Sequence, residues 1–396
     1  MSRALVVAAL VACAPDDPPG PVRLAFERLD TDRELVAVTD FRFLPGSDEA
    51  LLLEKQGTVV WGRVTDDAFV TLGWVALPDV YDDNDCGLVS LAIDPGFATN
   101  RFVYVGACLD LATSVIWRLT LDTNDLAATA ASVVEILRAQ DVLADRPWHN
   151  VGAMGFEPDG VMWALIGDKS VPANGQSTDD VLGAVVRIVP SRDPDGGGHE
   201  AAFDNPWIDV AGYAADIAAI GLRSPWRGAM DSRGRLWLGD VGAERTEEIN
   251  LLDTLGANFG WPLHEGRCTG ECGGLTDPIL SWPHDGHFGL LADDPEVTTS
   301  LGRVAWVGIE LRGGADDPYG GALTGRMLYG DFCLGFVRAA TLDDDGTIVD
   351  DVPLGHLAHP SAWDQGPDGF LYATTFGGCE STGAQQPSAI WRAVLE

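Results

Sequence analysis

One turn recurs along the chain and restricts its fold more than any other feature. In Phe156-Glu157-Pro158-Asp159-Gly160-Val161-Met162-Trp163 and Gln365-Gly366-Pro367-Asp368-Gly369-Phe370-Leu371-Tyr372, Pro-Asp-Gly separates two apolar strands. The outline returns at residues 92–96 before 102–105, at 230–237, and at 43–46 before 51–53. A sixth unit, around residues 326–332, keeps the strands without the Pro-Gly turn. Pro presets φ and Gly accepts positive φ, so each turn joins adjacent strands with little strain. Several units close on a basic residue in an apolar strand, at Arg63, Arg118, Arg187 and Arg392. Short sheets repeated about an axis protect their edges. Six units predict an all-β, six-bladed β-propeller with long loops on one face, the longest at 191–216 and 264–301. A pair of β-sandwiches is the alternative, and it leaves the recurrence unexplained.

Charge narrows the partners. Sixty acidic residues against 25 basic ones give a net charge of −35. Nucleic acid and anionic lipid both demand clustered positive charge, so neither is an expected partner.

Arg3 precedes a small apolar run, residues 4–12, that ends in Leu10-Val11-Ala12-Cys13 and looks like a bacterial lipobox. The reading is a signal peptide over 1–12, a lipidated Cys13 and tether over 13–34, and one propeller domain over 35–396. An ordinary secretory signal is the alternative. The run is too short to span a bilayer as a helix. Membrane contact is then expected only through the lipid on Cys13, on a periplasmic or surface-exposed protein. With Cys13 acylated, six of the seven cysteines remain, an even number suited to disulfides outside the cytoplasm. Cys86–Cys108, Cys268–Cys272 and Cys333–Cys379 are the expected pairs. His264, Cys268, Cys272, His284 and His287 also suggest zinc, but an exported chain favours the disulfide.

The motifs taken together resemble the soluble glucose/sorbosone dehydrogenase family, the pyrroloquinoline quinone (PQQ)-dependent aldose sugar dehydrogenases. The family shares its six-bladed propeller with hedgehog-interacting-protein-like proteins. The resemblance runs colinearly from residue 35 onward. It rests on residues 87–97, on His149-Asn150 and Gly167-Asp168 about the third turn, and on Gly221-Leu222-Arg223-Ser224-Pro225-Trp226. Glu248-Ile249-Asn250, Asn258-Phe259-Gly260-Trp261-Pro262 and Tyr329-Gly330-Asp331-Phe332-Cys333 continue the series.

The resemblance implies oxidation of an aldose C1–OH to a lactone, with hydride passing to PQQ and then to an external electron acceptor. His149 takes the position of the general base and Arg223 that of the cation beside the quinone carbonyl. Asn150, Ser224 and, from a later blade, Arg338 are the further cofactor candidates, with Arg312 and Arg326 beside Arg338. Calcium is implied at the Gly242 and Ala243 carbonyls, with a second region at Glu247 and Glu248. Four positions depart from the family pattern. Trp148 replaces Asp, Ser224 replaces Asn, Ala243 replaces Pro, and Asp85 replaces Gln. Two functions therefore stand open: an exported PQQ- and calcium-dependent sugar dehydrogenase, or a non-catalytic propeller that binds a protein or glycan.

Overall fold

A computed structural model describes residues 22–270, 272–284, 303–314, 317–378 and 387–396. The regular structure is almost wholly strand, in six separate sheets. Their innermost strands are Val38–Phe43, Leu88–Ile93, Val151–Phe156, Pro225–Met230, Ala305–Glu310 and Pro360–Gln365. From each of these the chain meanders outward, and successive innermost strands pack side by side until the sixth meets the first. The result is the six-bladed propeller that the repeat predicts, and blades are numbered below in that order.

The turns do what their residues dictate. In the third blade Gly160 adopts φ 92° and donates to the Glu157 carbonyl at 2.9 Å. In the sixth, Gly369 adopts φ 84° and donates to Gly366 at 3.0 Å. The fifth blade replaces this tight turn by a long connection between Glu310 and Met327, which is why its repeat lacks the turn residues.

Burial follows position in the blade. The second-blade strand Phe102–Cys108 is buried at every residue because neighbouring blades cover both of its faces. The outer strand Ala68–Ala76 alternates instead between more and less exposed residues. The core fills the spaces between sheets. Trp306 of the fifth blade stacks on Trp363 of the sixth at 5.2 Å. Arg187 grips Glu157 across the third blade through two bonds of 2.6 and 2.9 Å.

Arg227 closes the axis. Its guanidinium donates to the carbonyls of Ser361 (2.8 Å), Val89 (3.1 Å) and Thr39, on innermost strands of the sixth, second and first blades. Asp40 lies 3.6 Å from Arg227 Nη1 and accepts from the Leu91 amide of the second blade at 2.9 Å. One side chain of the fourth blade thus joins three others.

The propeller begins earlier than residue 35. Leu24–Arg28 is the outermost strand of the sixth blade and pairs with Ala389–Leu395, Leu24 facing Leu395 and Arg28 facing Trp391. Asp30–Thr31 then pairs with the first blade. The span read as a tether is thus part of the domain from Leu24 onward. The signal peptide, Cys13, His287 and Cys379 lie outside the described residues. No helix among the described residues is long and apolar enough to cross a membrane.

Cys268 and Cys272 form the expected disulfide, which removes both from any zinc site. Cys333 is disulfide-bonded, its expected partner lying outside the described residues. Cys86 and Cys108 depart from expectation: both are buried free thiols.

Candidate functional site

A cavity of about 340 Å³ sits where the chain enters the innermost strands. Asn84 and Asp85 reach it from the segment before the second blade, His149 and Asn150 from that before the third, Arg223 and Ser224 from that before the fourth. Four of the sequence-predicted residues, His149, Asn150, Arg223 and Ser224, therefore line one cavity.

His149 is held under strain. It adopts φ 55°, as does Lys169, with Ser170 at 61°. Left-handed backbone at a non-glycine residue costs about 1–3 kcal/mol and persists only where its surroundings over-determine it. The strand turn at Gly167 presses against this backbone, and a Cβ there would lie 2.4 Å from the His149 carbonyl oxygen. Only glycine permits that approach.

His149 Nδ1 lies 2.6 Å from Asp168 Oδ1. Asp168 is fully buried, and it also accepts from Ser170 N at 2.8 Å and Trp261 Nε1 at 2.8 Å. A carboxylate there places the imidazole proton on Nδ1 and leaves Nε2 as an acceptor. Asp168 is the residue whose role the sequence reading missed. Its signal was present, as the Gly-Asp that ends the strand after the histidine's own.

Arg223 is positioned from two sides. Asp240, in the next strand, accepts from the amides of Arg223 at 3.0 Å and Ser224 at 2.7 Å. Burial, and then the neighbouring Glu248, push the Asp240 carboxyl well above the usual range. The Arg223 guanidinium donates to the carbonyls of Val241 and Gly242, both at 2.9 Å, and lies 5.5 Å over the Trp261 ring.

The cavity's charge opposes that of the whole molecule. Lys55, Arg223 and Arg227 line it, with Asp85 the one carboxylate among the described lining residues and Asp40 behind Arg227. In a chain carrying 60 acidic and 25 basic residues this local excess of cations is a built feature. Arg227 Nη1 is buried and makes no hydrogen bond. Trp226 and Phe332, packed edge to face at 5.2 Å, add an aromatic surface. A flat, multiply charged anion such as PQQ suits this lining, which offers aromatic surface and positive charge.

Calcium does not fit as expected. The Gly242 carbonyl accepts from a guanidinium together with Val241, one residue before the expected step, and Ala243 N donates to Glu265 Oε1 at 2.9 Å. Glu247 and Glu248, consecutive on one strand, point to opposite faces. Glu247 meets Ala305 N at 2.7 Å and His284 Nε2 at 2.7 Å, whereas Glu248 meets Gly266 N and Asn250. No cluster of three or more His, Cys, Asp or Glu able to hold a metal occurs among the described residues.

The later-blade arginines lie elsewhere. Arg338 is buried in the fifth blade, where its Nε sits 3.1 Å from both Asp351 Oδ1 and the Tyr329 hydroxyl, and it does not line the cavity. Arg326 pairs with Asp350 at 2.6 Å, and Arg312 bonds to Gln365. The cationic lining comes instead from Lys55 and Arg227, which the sequence reading did not single out.

Comparison with known proteins gives an independent result. The family model for Glucose / Sorbosone dehydrogenase matches residues 36–282. The HIPL1 protein of Arabidopsis thaliana is 30% identical over 133 residues, 30% of this chain and 19% of that protein. The aldose sugar dehydrogenase YliI of Escherichia coli K12 is 28% identical over 194 residues, 47% of this chain and 49% of that protein. These matches thus span less than half of either relative. The PQQ-bound aldose sugar dehydrogenase of Streptomyces coelicolor superposes with a TM-score of 0.68 at 18% identity, covering 95% of this chain and 99% of that one. That likeness is one of fold.

Proposed function

The chain belongs to the glucose/sorbosone dehydrogenase family, and from that premise we propose that it is a PQQ-dependent aldose dehydrogenase. The observation that carries the reading is the cation-lined cavity in a strongly acidic chain, beside a histidine whose Nδ1 is fixed by Asp168. PQQ, when bound, supplies a quinone that accepts hydride from the sugar's C1. The chain's own residues do the rest. His149 Nε2 takes the C1-hydroxyl proton, and Asp168 stabilises the imidazolium that results. Arg223 offers positive charge where negative charge develops on oxygen. Lys55 would hold a carboxylate of the cofactor, and Arg227 would add positive charge from the cavity floor. Pro225 and Trp226 bound the cavity beside them.

Export and acylation at Cys13 belong to the same proposal, since the sugar and the external electron acceptor would meet the enzyme outside the cytoplasm. Calcium stays outside it, because the Gly242 carbonyl and the Glu247 and Glu248 carboxylates expected to bind the ion are engaged otherwise.

The test adds PQQ to purified protein, with and without calcium, and follows tryptophan quenching and dye reduction with a panel of aldoses. Saturable quenching with sugar-dependent dye reduction supports the reading. Quenching without turnover on any aldose removes the dehydrogenase and leaves a binding propeller. Absence of both removes the cofactor as well.

A further inference from the structure

Behind the wall that carries Asn150 lies a group of side chains that the proposed chemistry does not use. Cys86 and Cys108 are fully buried free thiols. The segment holding Cys86 runs beside the strand end holding Cys108, with Cys108 N donating to Gly87 O at 3.0 Å. Cys86 Sγ also donates to the Asp110 carbonyl at 3.8 Å, and each thiol acts on the charge of the other. Cys86 Sγ is 3.5 Å from Asn150 Oδ1, and Cys108 Sγ is 3.8 Å from Ser114 Oγ. Lys169 Nζ donates to both of those oxygens, at 2.5 and 2.6 Å.

Lys169 is the anomaly. It is 1% exposed, and no carboxylate pairs with it among the described residues. Burial lowers its pKa, and Cys108, then Cys86, then Asp110 act in the opposite sense to favour its charge. A buried ammonium needs an anion close by, and hydroxyl and amide oxygens supply only partial charge. A thiolate is the available partner. Burial pushes the Cys108 thiol up, but the neighbouring Cys86 and the Lys169 ammonium outweigh it and bring the thiol below its ordinary value. The neighbouring Cys108, and then burial, drive Cys86 upward. Asp85, Asp110 and Tyr81 are the other titratable groups facing the pair. One sulfur is therefore poised as nucleophile and the other keeps its proton, the division of labour that a redox-active dithiol requires.

We propose that Cys86, Cys108 and Lys169 form a redox-active dithiol site that closes to a disulfide on reaction with a small-molecule disulfide. The Cys108 thiolate attacks one sulfur of the oxidant, forming a mixed disulfide and releasing one thiolate. Cys86 then loses its proton to that thiolate and attacks the Cys108 sulfur, expelling the second. Two electrons pass to the oxidant, which leaves as one thiol and one thiolate. Access runs through the mostly exposed loop 78–85 above Cys86. The site touches the cavity through Asn150, and it stands whether or not PQQ binds.

The test uses the full reduced chain. It is equilibrated with increasing oxidised glutathione, quenched, alkylated under denaturing conditions and mapped as peptides. The expected product is a Cys86–Cys108 cross-link without lasting glutathione; a stable adduct on either cysteine, or two free thiols throughout, overturns the proposal. Thiolate absorbance of the native reduced protein is then titrated. Cys108→Ser should abolish the low-pH thiolate and Cys86→Ser should retain a thiolate at Cys108. Lys169→Met should raise the midpoint by at least about one pH unit, a tenfold loss of thiolate below it. An unmoved midpoint refutes the ammonium's role, and the two serine variants decide the nucleophile even if Lys169→Met does not fold.

Discussion

Replacing Arg227 with Met tests whether the axis of this propeller is held by one cation. Burial pulls the pKa of Arg227 down to about 10, so it remains charged at neutral pH. Methionine keeps much of the stem and removes donors to Ser361, Thr39 and Val89. Three carbonyl groups on three blades lose that donor, and Asp40, 1% exposed, keeps Arg42 at 3.3 Å but loses its axial cation. Breaking one side of a buried charge network costs about 3–5 kcal/mol, while relief of the guanidinium's own desolvation offsets part of the lost bonds. The expected loss is about 4 kcal/mol, read from urea unfolding by tryptophan fluorescence. The variant should also bind PQQ at least about tenfold more weakly, equivalent to 1.4 kcal/mol, because a cation has left the cavity lining. Arg227→Lys retains charge and not span, so it should recover affinity more than stability. A loss below about 1 kcal/mol in Arg227→Met would show that the blades hold the axis without it, against the usual penalty for an unpaired buried group.

Other outcomes follow from the same geometry. His149→Ala should abolish dye reduction while leaving PQQ affinity within about threefold, because the base acts in the transition state; equal loss of both quantities counts against that role. Asp168→Asn should lower kcat by at least about a hundredfold with little change in PQQ binding, since the amide no longer stabilises the imidazolium, and unchanged kcat would dismiss the pairing. Burial is the main cause that raises the Glu248 pKa to about 7, so the folded protein holds a proton there that the unfolded chain gives up. Its stabilising effect is present below the unfolded pKa of about 4.5 and is lost as pH rises through about 7. Glu248→Gln should thus be up to about 3 kcal/mol more stable than the parent at pH 8 and nearly equal at pH 4.5; denaturation curves at the two pH values decide it, and a variant less stable at pH 8 refutes the assignment.

The blades were legible because each is a local event: a turn within a few residues, flanked by strands whose apolar character is fixed by burial on both faces. The cavity wall was partly legible for the same reason, since His149 and Arg223 each open an innermost strand with recognisable neighbours. Arg227 was not. Its burial depends on three other blades meeting at the axis, and nothing near it in sequence marks that meeting. Arg338 failed in the opposite sense, because Asp351 engages the guanidinium across the strand pair, where the residue type alone suggested a ligand clamp. Leu24–Arg28 read as a tether because five residues between polar stretches carry little pattern, and their partner strand is Ala389–Leu395 at the other end of the chain.

That pairing has a mechanical and temporal side. Leu24 faces Leu395 in an antiparallel ladder, so a pull on the two ends loads the first pair alone and then each next pair in turn. The seam therefore opens like a zipper and resists far less than strands sheared along their length, whereas force applied across any other blade must break a continuous meander. During synthesis Leu24–Arg28 has no strand to join until Ala389–Leu395 has emerged, and the ring stays open with an unsatisfied edge for that entire interval. A chain shortened before Ala389 loses two of the three ladders in its last sheet, and the missing strand at one end leaves the first strand at the other bare.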